Sequence, residues 1–171
     1  QMCIRDSYVY QPTNTSIGNF VVGSEDDLKA MTVAAHAHGI RIIVDVVANH
    51  FTADWNAIDS DWQKSEYFHA RNSCSGSGGD NIDYSNRWQV THCHLLGLWD
   101  LNTANPEVAN RMHDFLKTAV NDGVDGFRFD AGKHVELPNE FDGSQYWTTI
   151  LQNGSQYQYG EVLQGDSGLD Y

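Results

Sequence analysis

The chain has 171 residues, 40% of them hydrophobic, and sets 23 acidic against 10 basic side chains for a formal charge of −13. That length can bury a sizeable core and suggests one domain. The acidic balance argues against a nucleic-acid partner, which needs clustered Lys and Arg, and no apolar run reaches the roughly 18 residues of a membrane-spanning helix.

In chain order, Ser24-Glu25-Asp26-Asp27 reads as a capping box opening a helix over 25–38, with Leu28, Met31 and Ala35 on one stripe and Gly39 as its stop. Ile40 to Val47 is β-branched and nearly all apolar, which predicts a buried parallel strand. From Phe51 to about Leu96 the periodicity dissolves into Gly, Ser, Asn, Asp, Trp and Tyr. A structureless run that long inside a compact unit points to a functional excursion. Asn105-Pro106-Glu107 restarts regular structure, with Asn as N-cap and Pro at the first helical position. Val108, Met112, Phe115, Leu116 and Ala119 mark that helix's buried face, and Gly123 closes it. A strand over 124–129, a short helix near 144–152 and a strand near 157–162 complete an α/β alternation with parallel strands.

Two carboxylates stand out in this frame. Along the strand ending Phe127-Arg128-Phe129-Asp130, alternation puts the phenylalanines on one face and Arg128 beside Asp130 on the other. An arginine that close favours an ionised carboxylate of low pKa, which suits a nucleophile. Glu161, at the end of the next predicted strand, is the candidate partner acid. On these residues alone, an ordinary structural ion pair and a surface acid explain the same pattern.

Ordered motifs favour the catalytic reading. Asp45-Val46-Val47-Ala48-Asn49-His50, then Gly126 to His134, then Gly160-Glu161-Val162-Leu163-Gln164 occur in sequence. Tyr10-Gln11-Pro12 lies upstream, and Leu98-Trp99-Asp100-Leu101-Asn102 between the first two. Together they resemble the α-amylase family, retaining glycoside hydrolases on a (β/α)8 barrel. Leu95-Leu96-Gly97-Leu98, Asn121-Asp122-Gly123 and His134-Val135-Glu136-Leu137-Pro138 are most similar to its secreted bacterial members.

The resemblance implies a partial TIM (β/α)8 barrel, about strands three to five, over 8–50 and 98–171, with a small calcium-binding domain inserted at 51–97 after the third strand. A whole barrel takes about 250 residues, so a fragment is expected, inactive in isolation, with the family's third acid lying past residue 171. Residues 1–7, including Cys3, do not fit the family pattern and read as a non-native leader.

Residue by residue, the resemblance makes Asp130 the nucleophile and Glu161 the general acid/base. It makes Tyr10, Gln11, His50 and Arg128 contacts at the cleavage subsite, and Lys133 and His134 contacts on the leaving-group side. It implies a structural Ca2+ held by Asn49, Asp100 and the backbone carbonyls of Thr91 and His134, hard oxygen donors of the kind calcium takes. It also implies a Cys74–Cys93 disulfide, as in some members, and hence an extracellular setting. Zinc at Cys74, His92, Cys93 and His94 is the competing reading, without supporting spacing.

The expected activity is retaining endo-hydrolysis of α-1,4 links in starch-like glucans by a protein that is monomeric at full length. The rivals are a glucanotransferase of the same fold and a non-catalytic glycan-binding homologue. Trp55, Trp62, Tyr67, Tyr84 and Trp88 could stack on sugars, although a local core is the plainer expectation. Asn14-Thr15-Ser16 and Asn153-Gly154-Ser155 are glycosylation sequons.

Overall fold

A computed structural model describes residues 9–141 and 144–163. The leader 1–7, Tyr8, Gln164 and the segment to 171 lie outside the described residues.

A two-stranded ribbon, β1 (Gly18–Asn19) and β2 (Gly23–Ser24), leads into α1 (Glu25–Ala37). Ser24 and Asp27 form the reciprocal capping box expected from the sequence. The predicted stripe is not buried, however. Met31 is 48% exposed and Leu28 only partly covered, and the buried residue of α1 is Thr32. The contact explains why: Thr32 Oγ1 donates to the Asp122 carbonyl at 2.7 Å. Gly123 makes room, since a Cβ there would sit 2.6 Å from that hydroxyl. The helix thus meets the body through Leu28 at the edge of the core and through this polar seam, and not along the whole expected stripe.

The central sheet has the order β3 (Ile43–Val47), β6 (Gly126–Asp130), β7 (Tyr157–Gly160), all parallel. Residues 40–42 precede the strand, and Ile40 and Ile43 are 56% and 41% exposed, against the expected burial of this run. The reason is position: β3 is hydrogen-bonded to one neighbour only among the described residues. Gly126 lets β6 approach β7, because a Cβ there would lie 2.3 Å from the Tyr157 carbonyl.

Register assigns the two faces. Val44 pairs with Phe127 and Val46 with Phe129, so one face is apolar. It packs on α3 (Pro106–Asn121) and α4 (Tyr146–Ile150) in a core that includes Met112, Leu116, Tyr146 and Ile150. Asn105 caps α3 with Pro106 at its start, and Val108, Met112, Leu116 and Ala119 are buried as expected. The other face carries Asp45 opposite Arg128 and Val47 opposite Asp130. Below it, Asp125 ties the entry to β6 to the end of α1, accepting from Ile42 N at 2.8 Å and meeting His36 and Arg41 at 2.7 Å each.

The excursion leaves through β4 (His50–Phe51) and returns through β5 (Trp99–Asp100), which pair antiparallel. Between them it is built of short turns, α2 (Arg87–His92) and the Cys74–Cys93 disulfide. The disulfide occupies the thiols that zinc would need. The Phe51 and Trp62 rings meet at a tilt with centroids 4.9 Å apart, and Trp55 and Trp99 do the same at 4.6 Å, so these rings form a local core. Trp62 and Tyr67 are buried within it. Asn153 is buried as well, its amide nitrogen donating to Ile150 O and Gln158 Oε1 at 2.7 Å each, which leaves that sequon closed to glycosylation in the folded chain.

Candidate active site

The polar face of the sheet converges on one guanidinium. Arg128 Nη1 lies 2.7 Å from Asp45 Oδ1 and 3.0 Å from Asp130 Oδ1, and Nη2 lies 2.8 Å from Glu161 Oε1. The two acids singled out in the sequence therefore share one cation, and the width of a guanidinium bounds their separation. Glu161 Oε2 also accepts from the Ala131 amide at 3.2 Å. That amide is aimed by a left-handed backbone, φ 50° at a non-glycine residue directly after Asp130. Such conformations cost energy and are held by their surroundings, commonly at functional sites.

Asp130 departs from expectation. Burial of this carboxyl, whose side chain is 15% accessible, reinforced by the charges of Glu161 and Asp45, outweighs Arg128 and raises its pKa above the ordinary range. Arg128 lowers it through a hydrogen bond and its charge, but by less than burial raises it.

Tyr10 and His50 border this cluster. The Tyr10 hydroxyl donates to Asp45 Oδ2 at 2.6 Å, and His50 Nε2 meets the Tyr10 carbonyl at 3.1 Å. Burial lowers His50 to a pKa of about 4. The neutral ring then donates from Nε2 to Tyr10, and Nδ1 accepts from Asn49 at 3.3 Å. Gln11 Oε1 accepts from Thr52 Oγ1 at 3.2 Å.

Lys133 and His134 lie on the far side of Glu161. With Tyr84, Leu95 and Ala131 they line a cleft of about 300 Å³ into which Glu161 opens. Lys133 is buried, its Nζ 3.2 Å from Leu163 O and 5.1 Å above the Tyr84 ring. Burial pushes His134 down to about 4, and its Nδ1 donates to Val90 O at 2.8 Å.

The four proposed calcium ligands fall into two connected pairs. Asn49 Nδ2 donates to Asp100 Oδ1 at 3.2 Å, while Thr91 follows Val90 in α2, and the Val90 carbonyl holds His134. Asp100 is fully buried, and burial drives its carboxyl well above the ordinary range, with the nearby Glu136 charge adding to the effect. Its partners are the Asn49 amide and His69 Nδ1 at 2.7 Å. A buried carboxylate beside a second acid is a donor set that a hard cation completes.

Sequence reasoning missed Asp45, the Ala131 amide and Arg87. A lone acid inside Ile43-Val44-Asp45-Val46-Val47 was the available signal for Asp45. Nothing local marked the other two.

The family model described as "Alpha amylase, catalytic domain" matches residues 14–161. The chain is 36% identical over 171 residues to an α-amylase of Clostridium acetobutylicum, covering 91% of this chain and 21% of that protein. It is 34% identical over 184 residues to an α-amylase of Butyrivibrio fibrisolvens, covering 92% and 18%. Among solved structures, a variant of α-amylase I from Eisenia fetida in complex with maltohexaose superposes with a TM-score of 0.77 at 28% identity, over 94% of this chain and 36% of that one. The chain thus spans about a fifth of the length of the curated relatives it matches.

Proposed function

The chain belongs to the α-amylase family, and on that premise we propose that its site carries out retaining endo-hydrolysis of α-1,4 links in starch-like glucans. The observation that carries this reading is the convergence of Asp130 and Glu161 on Arg128 at the ends of adjacent parallel strands. Barrels of this class place their chemistry at that end of the sheet.

Cleaving an acetal needs a proton on the departing oxygen and electron density at the anomeric carbon. Asp130 attacks that carbon and becomes the glycosyl ester, while Glu161 delivers the proton and then takes one from water. Arg128 holds the two acids close to one another. Tyr10, Gln11 and His50 border the sugar being transferred; Lys133 and His134 border the leaving chain. Both acids are present, which argues against a non-catalytic homologue. A glucanotransferase shares every step up to the attack of water.

The test is the product. Reducing ends freed from soluble starch by the full-length chain carrying this segment, followed by proton NMR, should first appear as the α-anomer; β-anomer first, or no release, would defeat the reading. The isolated 171-residue chain is expected to be inactive, because among the described residues β3 and β7 are open edges of the sheet.

Calcium held by Asn49, Asp100 and the Thr91 and His134 carbonyls would supply the positive charge that buried Asp100 needs and fasten the excursion to the barrel. A calcium concentration 100-fold above Kd should stabilise the fold by about 2.7 kcal/mol. Chelation should reverse this in thermal melts, and Asp100→Asn should make the melting temperature indifferent to calcium. An Asp100→Asn protein still stabilised by calcium would remove Asp100 from the site. The disulfide supports an extracellular setting, and we take the full-length protein to be a monomer.

A further inference from the structure

We propose that Arg87, on the inserted excursion, is a positioning residue for the leaving-group half of the cleft: it clamps the turn from which Lys133 and His134 enter. The inference rests on the glucan-cleaving reading above and assigns a role to a residue outside its catalytic pair.

Arg87 opens α2 and spends its guanidinium on two other segments. Nε and Nη2 grip Glu140 Oε1 and Oε2 at 2.8 Å each, a two-pronged pairing. Nη1 donates to the Lys133 carbonyl, and Nη2 donates to the Val135 carbonyl at 2.7 Å. The two carbonyls flank His134, so one side chain adds two acceptor-side ties to a turn whose amides at 133–135 are already bonded to Glu161, Ala131 and Gly132 carbonyls. Glu140 Oε2 is itself fixed by the Leu137 amide at 2.8 Å. Both side chains are largely withdrawn from solvent, at 12% and 23% accessible. A planar fork with several fixed donors can satisfy this pattern; an ammonium group cannot.

An interface salt bridge with no bearing on substrate would need only the Glu140 contacts. The carbonyl contacts add a specific consequence. The same excursion supplies Tyr84, whose ring lies beneath Lys133 Nζ in the cleft. Arg87 therefore sets the spacing between the excursion's wall and the Lys133 wall, the gap that a departing sugar chain must fill. Of the bond-breaking side, Glu161 meets this turn through its carbonyl, which accepts from Lys133 N at 3.3 Å, while Asp130, Arg128 and Asp45 pair among themselves.

The experiment compares two substrates on the full-length chain carrying this segment, with calcium in excess so that metal affinity does not enter. Maltohexaose places sugars on the leaving-group side; a nitrophenyl maltotrioside whose nitrophenol departs directly does not. For Arg87→Lys, the KM for maltohexaose should rise about fivefold to tenfold, while kcat/KM for the nitrophenyl substrate stays within about twofold. Glu140→Gln, which keeps size and one acceptor, should show the same selectivity at smaller amplitude, and it decides the matter should Arg87→Lys fail to fold. Parallel losses on both substrates, or none on either, would overturn the positioning role. Wild-type protein that cleaves neither substrate would instead overturn the glucan-cleaving reading.

Discussion

Asp130→Asn in the full-length chain should lower turnover of starch by roughly 10⁴-fold or more, the scale seen when a nucleophile acting in a cooperative unit is removed. The amide is nearly isosteric, so cleft shape survives while the electron pair that attacks the anomeric carbon is lost. Stability should move the other way or not at all. Asp130 has a folded pKa raised chiefly by burial, so its contribution is fully present below the unfolded pKa and is lost as pH rises through the folded value. At neutral pH the ionised carboxyl is a cost that asparagine removes. Thermal melts and initial rates on one preparation check both halves: a sharp fall in melting temperature would place Asp130 in the structural scaffold.

Arg128→Met should produce the second-largest effect, because three carboxylates lose a common counter-charge. We expect kcat/KM to fall roughly 10²- to 10³-fold, the range for loss of one well-placed charged group. Asp130 would then sit against Asp45 and Glu161 uncompensated, and its pKa would climb further. The acid limb of the pH profile should move upward. Stability should decline by roughly 1–3 kcal/mol near neutrality, a modest figure because Asp45 and Glu161 are partly solvated. Part of that deficit should be recovered on acidification, as the unpaired carboxyls take up protons. An unshifted acid limb would show that Arg128 does not govern Asp130.

These effects show which features a sequence can display. The capping box at Ser24 and the Asn105-Pro106 helix start were legible because each is decided by residues within one turn. The face shared by Arg128 and Asp130 was legible because alternation along a strand is local too. The stripe on α1 misled, since Met31 is buried only if something apolar stands opposite, and the contact is instead the Thr32 seam at Gly123. The direction of Asp130's pKa was misjudged for a similar reason. Arg128 is two residues away in the chain, but Asp45 is 83 away from that arginine and burial has no sequence signature at all. Arg87 and Glu140, 53 residues apart, were silent for the same reason. Motif resemblance located the acids; packing decided how they are held.

The shortest route to the central claim is chemical trapping of the glycosyl ester. A fluorinated maltosyl fluoride that forms the covalent intermediate quickly and releases it slowly, applied to the full-length chain and followed by peptide mass spectrometry, should leave its sugar mass on the peptide containing Asp130. The label should be absent from Asp130→Asn and, because fluoride departs without a donated proton, should still form in Glu161→Gln but be released more slowly for want of a base toward water. A label on Glu161 or Asp45, or turnover with no covalent sugar at all, would contradict the assignment of Asp130 as nucleophile and Glu161 as its acid/base partner.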